Sequence, residues 1–352
     1  MKKRYTLFIT FMLLAPAFKA HAQGGFSDII KVSPGDATKL IQAYGDPLFK
    51  GFGVGMNSGW TNTAKTKKLL HFELRITASG AFTPNSDKSF DVTKLGLSDG
   101  VGPKDPNQTI APTIGGERNN DGPVMNIYDA QHIKVNEFTL PSGKLPVIPS
   151  PQVQLTVGLV QNTDVTVRLI PNTKFGTEVG SVNMIGFGLK HDLTQYMFGP
   201  AKKLVPFDLS VLLGYSRLNL DASLNVKPQD GAVHDPTDPN KNNDFSNQHT
   251  DAHFTSFLAE VIISKKLLFF TPFLAVGYNT AHANLAAIGN YPVTTNVNGD
   301  YSVYTDPINI NEKTISGFRA DIGFQLNLGI RIFASASLAQ YKSVNAGIGF
   351  GF

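Results

Sequence analysis

Residues 151–170 read PQVQLTVGLVQNTDVTVRLI, and this stretch decides the fold. From Val153 to Leu159, and again from Asp164 to Leu169, each apolar residue is followed by a polar residue or a glycine. A period of two residues is that of a β-strand, whose successive side chains point to opposite faces. The stretch therefore predicts two strands joined by a tight turn, each with one apolar and one polar face.

The same alternation returns along the chain, at residues 70–78, 207–215, 318–326 and 330–338. Segments of about 9–12 residues are longer than the usual strand of about 5–6 residues. They match the roughly 9–11 residues that a tilted strand needs to cross the hydrocarbon of a membrane. We therefore predict an all-β fold, namely a transmembrane antiparallel β-barrel of about 12–14 strands with a short N-terminal helix.

The polar faces of the predicted strands carry charged residues in mid-strand. In a barrel, these side chains point into a wet lumen. They either line a permeation path or form internal salt bridges that stiffen a narrow barrel. The candidates are Glu73, Arg75, Arg168, Asp208, Glu260, Arg319, Asp321 and Arg331.

Residues 1–22 read as a secretory signal peptide. Basic residues at positions 2–4 precede an apolar run, and Ala20-His21-Ala22 has the small-x-small form of a cleavage site. We expect export and cleavage after Ala22. Without this leader the chain has as many basic as acidic residues, so its basic character gives no support to nucleic-acid binding. The absence of cysteine excludes disulfides, thiolate metal sites and a cysteine nucleophile.

The last ten residues, 343–352, alternate once more and end on the aromatic Phe352. This ending resembles the C-terminal signal that the outer-membrane assembly machinery reads on bacterial barrels. The sequence thus predicts a location in the cell outer membrane. The expected partners are outer-membrane lipid, the assembly machinery and a small-molecule solute.

Residues 23–49 differ from the barrel, which we expect to span residues 50–352. Asp36 is a good helix N-cap, and Gly45 followed by Pro47 is typical of a helix end. This pattern predicts a short helix at about residues 37–44. The helix would lie at the periplasmic mouth of the barrel or act as a plug in the lumen.

Two series of alternating glycines lie near the two ends of the predicted barrel. We expect residues 50–60 to form the first strand, which would pair with the last strand at the seam of a closed barrel. There the glycines could seat the helix or a ligand, allow lateral exit, or only relieve crowding at closure. These seam glycines are Gly51, Gly53, Gly55, Gly347, Gly349 and Gly351.

Residues 82–150, 220–250 and 284–313 are predicted to be long loops. Residues 235–244 place Asp and Asn oxygens at alternate positions, as calcium loops do, but they lack the central glycine and the closing glutamate. We therefore predict no metal site. Several aromatic residues fall near predicted strand ends, where we expect interfacial anchoring. They are Trp60, Tyr196, Phe198, Tyr278 and Tyr341.

A family resemblance covers most of the chain that follows the leader. Residues 40–65, LIQAYGDPLFKGFGVGMNSGWTNTAK, together with residues 152–171 and 186–192, resemble an uncharacterised family of exported Bacteroidetes proteins. This resemblance implies an outer-membrane β-barrel of unknown function. More distantly, an N-terminal segment leading into a mid-sized barrel is similar to the architecture of FadL-type hydrophobic-compound transporters. That similarity implies a transport class and transfers no binding residue.

Three functions remain open from the sequence. The leading hypothesis is a channel or transporter for a small hydrophobic or amphiphilic solute, with the N-terminal segment as a plug or gate. The alternative is a structural or surface-interaction barrel with a filled lumen, and the third is a soluble secreted β-sandwich. Because no nucleophile elbow, zinc HExxH motif or paired-carboxylate signature is present, we expect neither enzymatic activity nor a cofactor.

Overall fold

The chain folds into a closed antiparallel barrel in a computed structural model that describes residues 28–174, 180–198, 205–295 and 300–351. Within these residues, ten strands form the wall, and the C-terminal end of a long helix, α1 (Pro34–Met56), lies inside it. The predicted class, an all-β barrel with an N-terminal helix, is confirmed. The proposed signal peptide, residues 1–22, and the terminal Phe352 lie outside the described residues.

The barrel strands differ in length from 9 to 21 residues. They are β1 (Phe72–Phe82), β7 (Val147–Leu159), β8 (Thr163–Lys174), β9 (Ser181–Asp192), β10 (Asp208–Ser223), β11 (His249–Ser264), β12 (Phe270–Ile288), β15 (Ile308–Leu328), β16 (Ile330–Leu338) and β17 (Ser343–Gly351). Around the wall their order is β1-β17-β16-β15-β12-β11-β10-β9-β8-β7, and β7 pairs with β1 to close it.

Shorter elements lie between the barrel strands. They are β2 (Ser89–Asp91), β3 (Val101–Pro103), β4 (Ile110–Pro112), β5 (Val124–Tyr128), β6 (Lys134–Thr139), β13 (Asn290–Thr294), β14 (Tyr301–Thr305), α2 (Thr194–Phe198) and two 3₁₀ turns, Asn85–Asp87 and Val92–Lys94. Two small sheets, β2-β4 and β3-β5-β6, fold within the connection from β1 to β7, and β13 pairs with β14.

The barrel wall is apolar outside and polar inside. On β7, Leu155 is 44% exposed, whereas its neighbours Gln154 and Thr156 are only 1% and 5% exposed. A soluble sandwich buries its apolar face, so this inverted pattern rules out the β-sandwich hypothesis. A wall of this kind faces lipid with its apolar side chains. Among the described residues, no helix combines the length and the apolar character needed to cross a membrane.

The barrel has ten strands rather than the predicted 12–14. The predicted first strand at residues 50–60 is instead the end of α1 and the segment after it. The extra strands expected between residues 82 and 140 are the short sheets outside the wall. The strand that pairs with the C-terminal β17 is therefore β1, with Leu74 opposite Phe350. The boundary expected at residue 50 falls inside α1, because the wall begins only at Phe72.

Helix α1 is much longer than the predicted 37–44. Ser33, not Asp36, is its N-cap, and the Ser33 side chain accepts a hydrogen bond from the Asp36 amide at 3.4 Å. The helix continues through Gly45 and Pro47 to Met56. Glycine and proline disfavour helix interiors, so the helix depends on contacts with its surroundings rather than on intrinsic propensity.

The two ends of the barrel differ. One end, here called the turn side, carries the short connections at residues 160–162, 265–269 and 329. The other, the loop side, carries residues 83–146, 224–248 and 289–307. In bacterial outer-membrane barrels the short turns are periplasmic and the longer loops are extracellular.

Candidate functional site

Helix α1 passes between two opposite parts of the wall, and its glycines make this passage possible. A Cβ atom on Gly55 would lie 2.6 Å from the Cβ of Ser150, and one on Gly51 would overlap the Ile148 side chain on the same strand, β7. On the other side of the helix, a Cβ on Gly53 would lie 2.6 Å from the Cβ of Ala281 on β12. The helix therefore touches both walls with its backbone.

These contacts correct the predicted role of the first glycine series. Gly51, Gly53 and Gly55 lie in α1 and not in a wall strand, so they are not seam residues. Their two-residue spacing looks like a strand pattern. In the helix, it places the outer two on one face and the middle one on the opposite face.

The C-terminal glycines lie on β17, beside large inward side chains. A Cβ on Gly347 would lie 2.6 Å from the ring of Phe333, and one on Gly351 would overlap the Arg331 guanidinium. Gly349 is the direct cross-strand partner of both Arg75 and Arg331. These glycines thus provide room for neighbouring side chains and do not form a bare strip.

Arg168, on β8, caps the C-terminal end of α1. Its guanidinium donates to the carbonyl oxygens of Met56 at 2.8 Å and Ser58 at 3.0 Å, and to Gln154 Oε1 at 3.1 Å. The last carbonyls of a helix have no partner within the helix and carry partial negative charge. A fully buried wall arginine supplies both the hydrogen bonds and the positive charge that they require.

Arg319, on β15, binds the same end of the helix from the other side of the lumen. It donates to the Asn57 carbonyl oxygen at 2.9 Å and is held by Asp321 at 2.7 and 2.9 Å. The Asn57 amide in turn donates to the Thr280 carbonyl oxygen on β12 at 3.0 Å. Two arginines from opposite strands therefore fix the helix end in the middle of the lumen.

Trp60 is buried in the lumen, which corrects its predicted role at the membrane interface. The Arg168 Cζ lies 3.8 Å from the centroid of its ring. On the wall, a Cβ on either Gly188 or Gly214 would come within 2.8 Å of the indole. Two glycines thus form a flat recess for the indole, and a cation–π contact covers it.

Below Trp60, the chain is held by two wall residues that are not among the predicted lumen charges, Lys190 and Asp164. Lys190 donates to the carbonyl oxygens of Thr63 at 3.1 Å and Lys65 at 3.0 Å, and pairs with Asp164 at 3.2 Å. Asp164 also accepts from the Lys67 amide at 2.8 Å. Both residues fall on the polar face of their strand in the two-residue alternation. That position is the sequence feature from which their inward orientation could have been predicted.

An ion cluster lies at the turn-side mouth. Glu73 pairs with Lys67 at 2.5 Å and with Arg331 at 2.9 Å. Arg75 donates to the Trp60 carbonyl oxygen. A void of about 20 Å³ beside this cluster has room for about one water molecule. The segment after α1 thus leaves the lumen through a polar, tightly packed opening.

The eight predicted lumen charges fall into two groups, six that are buried and two that are partly exposed. Glu260 and Arg319 lie in one cross-strand row, separated by Gly277. Asp208 is the half-buried first residue of β10, and the Arg331 side chain is 30% exposed at the turn side. The other six are buried in the wall, Glu260 and Arg319 among them: Glu73, Arg75, Arg168, Glu260, Arg319 and Asp321.

On the loop side, residues 28–48 lie outside the lumen and pack under the loops. We call residues 28–48 together with these loops the cap. Tyr44 donates to the Ser142 carbonyl oxygen at 3.0 Å. Leu40 and Ile41 belong to one buried apolar cluster with residues of the loops and upper strands. The other members from the helix and the loops include Ile29, Ile30, Phe49, Val92, Met125, Phe138 and Leu140.

Tyr341, in the outer turn between β16 and β17, is buried in the cap rather than at the membrane interface. It donates to Asp87 Oδ2 at 2.8 Å, and Lys50 donates to the same oxygen at 3.0 Å. Tyr196 and Tyr278 are exposed. Tyr278 lies near the middle of β12 and not at a strand end, which corrects its predicted position. The Phe198 side chain lies outside the described part of the chain.

Asp36 joins the start of α1 to the loop that follows β2. Its carboxylate accepts from the Ser98 amide at 2.8 Å and hydroxyl at 2.6 Å, and from the Ser33 hydroxyl at 2.7 Å. Burial opposes ionisation, but these hydrogen bonds and the nearby Lys39 outweigh it and lower the pKa of Asp36. The ionised carboxylate therefore stabilises the cap.

Replacing Asp36 by alanine is expected to loosen the cap by about 1 kcal/mol. Amide hydrogen exchange in residues 92–100 should then become about fivefold faster, since 1.4 kcal/mol is tenfold. Because the folded pKa is lowered, the stabilisation is complete above the unfolded pKa of about 3.9 and is lost as the pH falls through the folded value. The exposed neighbour Asp99, changed to alanine, is the control, and equal exchange in both variants would contradict the role of Asp36.

The loop at residues 235–244 is held by protein contacts. Asp238 accepts from His234 at 2.8 Å and from the Val303 amide at 2.7 Å. Burial alone would raise the pKa of Asp238, but these hydrogen bonds outweigh it and lower the pKa to about 2. Within the described ranges, no group of three or more His, Asp or Glu side chains is arranged to hold a metal ion.

A closed wall that is apolar outside and polar inside, with a helix bound in its lumen, defines an outer-membrane β-barrel. The chain belongs to the family of unknown function DUF6588, whose model matches residues 1–352. No curated protein sequence matches the chain.

Several solved outer-membrane barrels are similar in structure at low sequence identity. OmpT, the outer-membrane protease of Escherichia coli, is 8% identical, with 84% of this chain and 100% of that chain covered and a TM-score of 0.28. The translocator domain of the autotransporter NalP from Neisseria meningitidis is 9% identical, with coverage of 86% and 92% and a TM-score of 0.28. The Pseudomonas putida toluene transporter TodX is 10% identical, with coverage of 88% and 72% and a TM-score of 0.23.

Proposed function

We propose that this protein is a plugged outer-membrane barrel that presents a folded cap at the cell surface and acts through the contacts of that cap. One observation carries the proposal: α1 is bound at both of its ends. Arg168 and Arg319 hold its C-terminal end in the lumen, and its N-terminal half belongs to the apolar cluster of the cap. Catalysis forms no part of this proposal.

The apolar cluster opposes any displacement of the helix. Leu40, Ile41 and Phe49 are at most 2% exposed, and exposing one such side chain to water costs about 1.5–3 kcal/mol. Moving α1 out of the barrel would expose these side chains together with their partners in the loops. A plug held in this way suits a permanent structural element better than a gate that opens in each transport cycle.

Solute passage after displacement of the plug is the second candidate function, and the inner wall favours it. The hydroxyl groups of Ser210, Ser216 and Ser256 face the lumen without a hydrogen-bond partner among the described residues. A wall of this composition would hold water if the helix were absent. The transport hypothesis therefore requires a trigger that overcomes the cap contacts.

Planar-bilayer recording distinguishes the two candidates. The intact chain is expected to show no conductance, because α1 and the segment after it occupy the lumen from the loop side to the turn side. A variant lacking residues 23–66, shown to be folded by its heat-modifiable migration on gels, is expected to conduct through the polar lumen. An epitope placed before residue 28 should be labelled on intact cells, because the helix begins on the loop side.

Conductance of the intact chain, or its uptake of a hydrophobic solute, would instead favour transport. An epitope that is labelled only after the outer membrane is permeabilised would contradict the orientation of α1 and with it the surface role of the cap.

A further inference from the structure

The membrane-facing surface of the barrel carries an apolar groove of about 1190 Å³. Ala78, Ala346, Ala334, Phe324 and Pro272 line it, on β1, β17, β16, β15 and β12. These residues are successive cross-strand partners, so the groove crosses the strands along the hydrogen-bonding direction. Because barrel strands are tilted, this path runs obliquely down the wall to the turn side.

The lower end of the groove is positively charged. Lys265, which also lines the groove, follows β11 directly, and its amide donates to the Pro272 carbonyl oxygen at 3.3 Å. It continues the outward-facing series of Val261 and Ile263, and Lys266 comes next. Both lysines are exposed, and neither forms an ion pair with any described residue.

The turn that carries these lysines is apolar at its tip. Leu268 is 88% exposed and has a φ of 52°, a left-handed conformation that is unusual for a bulky side chain. Leu267 and Phe269 beside it are also exposed. Nothing in the described protein covers these side chains, and a lipid leaflet would cover them while leaving the lysine ammonium groups at the depth of the headgroups.

We propose that this groove binds one glycerophospholipid of the leaflet on the turn side. Its acyl chains lie along the apolar wall from Pro272 towards Ala78, and its phosphate pairs with Lys265. Charge complementarity selects this occupant, because an apolar groove that ends in an unpaired cation matches a ligand with apolar chains and an anionic head. The site lies on the wall and the turn side, away from the cap.

A second turn of the chain provides an internal comparison. Residues 67–70 and 265–268 both read Lys-Lys-Leu-Leu, both precede a wall strand on the turn side, and Leu70 has a φ of 60°. Lys67, however, is bound to Glu73, and the groove does not reach this turn. The first turn therefore shares the sequence but not the site.

Native mass spectrometry of the full chain, delipidated in detergent and titrated with phosphatidylglycerol, tests the proposal. We expect one tightly bound lipid per barrel. Changing Lys265 to glutamine should weaken binding about fivefold, the effect of one lysine near an anionic headgroup. Changing Ala346 to phenylalanine should fill the groove and weaken binding more than tenfold.

Three matched variants should bind as the unmodified protein does. Lys266→Gln removes the neighbouring charge, which does not line the groove. Lys68→Gln removes a lysine of the first Lys-Lys-Leu-Leu turn, in which Lys67 is the residue equivalent to Lys265. Val153→Phe enlarges an outward side chain on β7. A diacylglycerol, which has the chains without the phosphate, should bind more weakly than phosphatidylglycerol. The proposal is overturned if no stoichiometric lipid binds, if Ala346→Phe and Val153→Phe bind equally, or if Lys265→Gln and Lys68→Gln bind equally.

Discussion

A leucine in place of Gly55 is expected to keep α1 out of the barrel. Even the first added atom, Cβ, would lie 2.6 Å from the Cβ of Ser150, which belongs to a wall strand and cannot move far. Overpacking a rigid site costs about 1–3 kcal/mol for small additions, and leucine adds four carbons. The fraction of barrels with a seated helix should therefore fall more than tenfold.

The only tryptophan of the chain reports this directly. Trp60 is buried in the lumen of the folded protein, so acrylamide should quench its fluorescence poorly. In Gly55→Leu the quenching should approach that of an exposed indole. Gly35→Leu is the control, because it lies in the same helix and its Cβ would meet nothing within 4 Å.

A paired substitution separates this clash from a general loss of folding. In Gly55→Ala alone, the quenching of Trp60 should lie between that of the unmodified protein and that of Gly55→Leu, because alanine adds only the clashing Cβ. Adding Ser150→Gly removes the opposing Cβ and hydroxyl, so the double variant should regain a protected Trp60. If Gly55→Leu protects Trp60 as the unmodified chain does, the helix does not contact β7 as described.

The wall could be predicted from the sequence because its signal is local. Alternation along β7, β8, β10, β15 and β16 needs only the two-residue period of a strand. The inward placement of Arg168 and Arg319 follows from the same period. Each wall strand is thus recognisable in isolation. The predicted number of strands is too high because residues 50–60 and segments between residues 82 and 140, which lie outside the wall, are counted as strands.

The plug could not be predicted in the same way, because its signals depend on what surrounds it. Gly51, Gly53 and Gly55 alternate as strand residues would, and Pro47 is typical of a helix end. The narrow space between β7 and β12 requires small residues on both faces of a helix, and this tertiary requirement outweighs propensity. Trp60 was assigned to the interface for the same reason, since its recess is formed by glycines on distant strands.

Changing Arg168 to glutamine is expected to release the C-terminal end of α1. The shorter side chain cannot reach the carbonyl oxygens of Met56 and Ser58, and a buried acceptor without a partner costs about 1–3 kcal/mol. The cation–π contact with Trp60 is lost as well. Removing a buried charge offsets part of this cost, but no acidic side chain in the described part of the chain is paired with Arg168, so its hydrogen bonds to the plug are the larger effect.

We therefore expect Arg168→Gln to lower the free energy of unfolding by about 2–5 kcal/mol and to expose Trp60 to acrylamide. Arg168→Lys keeps the charge but not the planar guanidinium that donates to two carbonyl oxygens. Its free energy of unfolding should therefore lie between those of Arg168→Gln and the unmodified protein. Arg217→Gln, an exposed arginine of β10, should change stability by no more than about 0.5 kcal/mol. Unchanged quenching of Trp60 in Arg168→Gln would mean that the contacts of Arg319 and of the cap are enough to hold the helix. In that case Gly55→Leu should still expose Trp60, because steric exclusion from the lumen does not depend on Arg168.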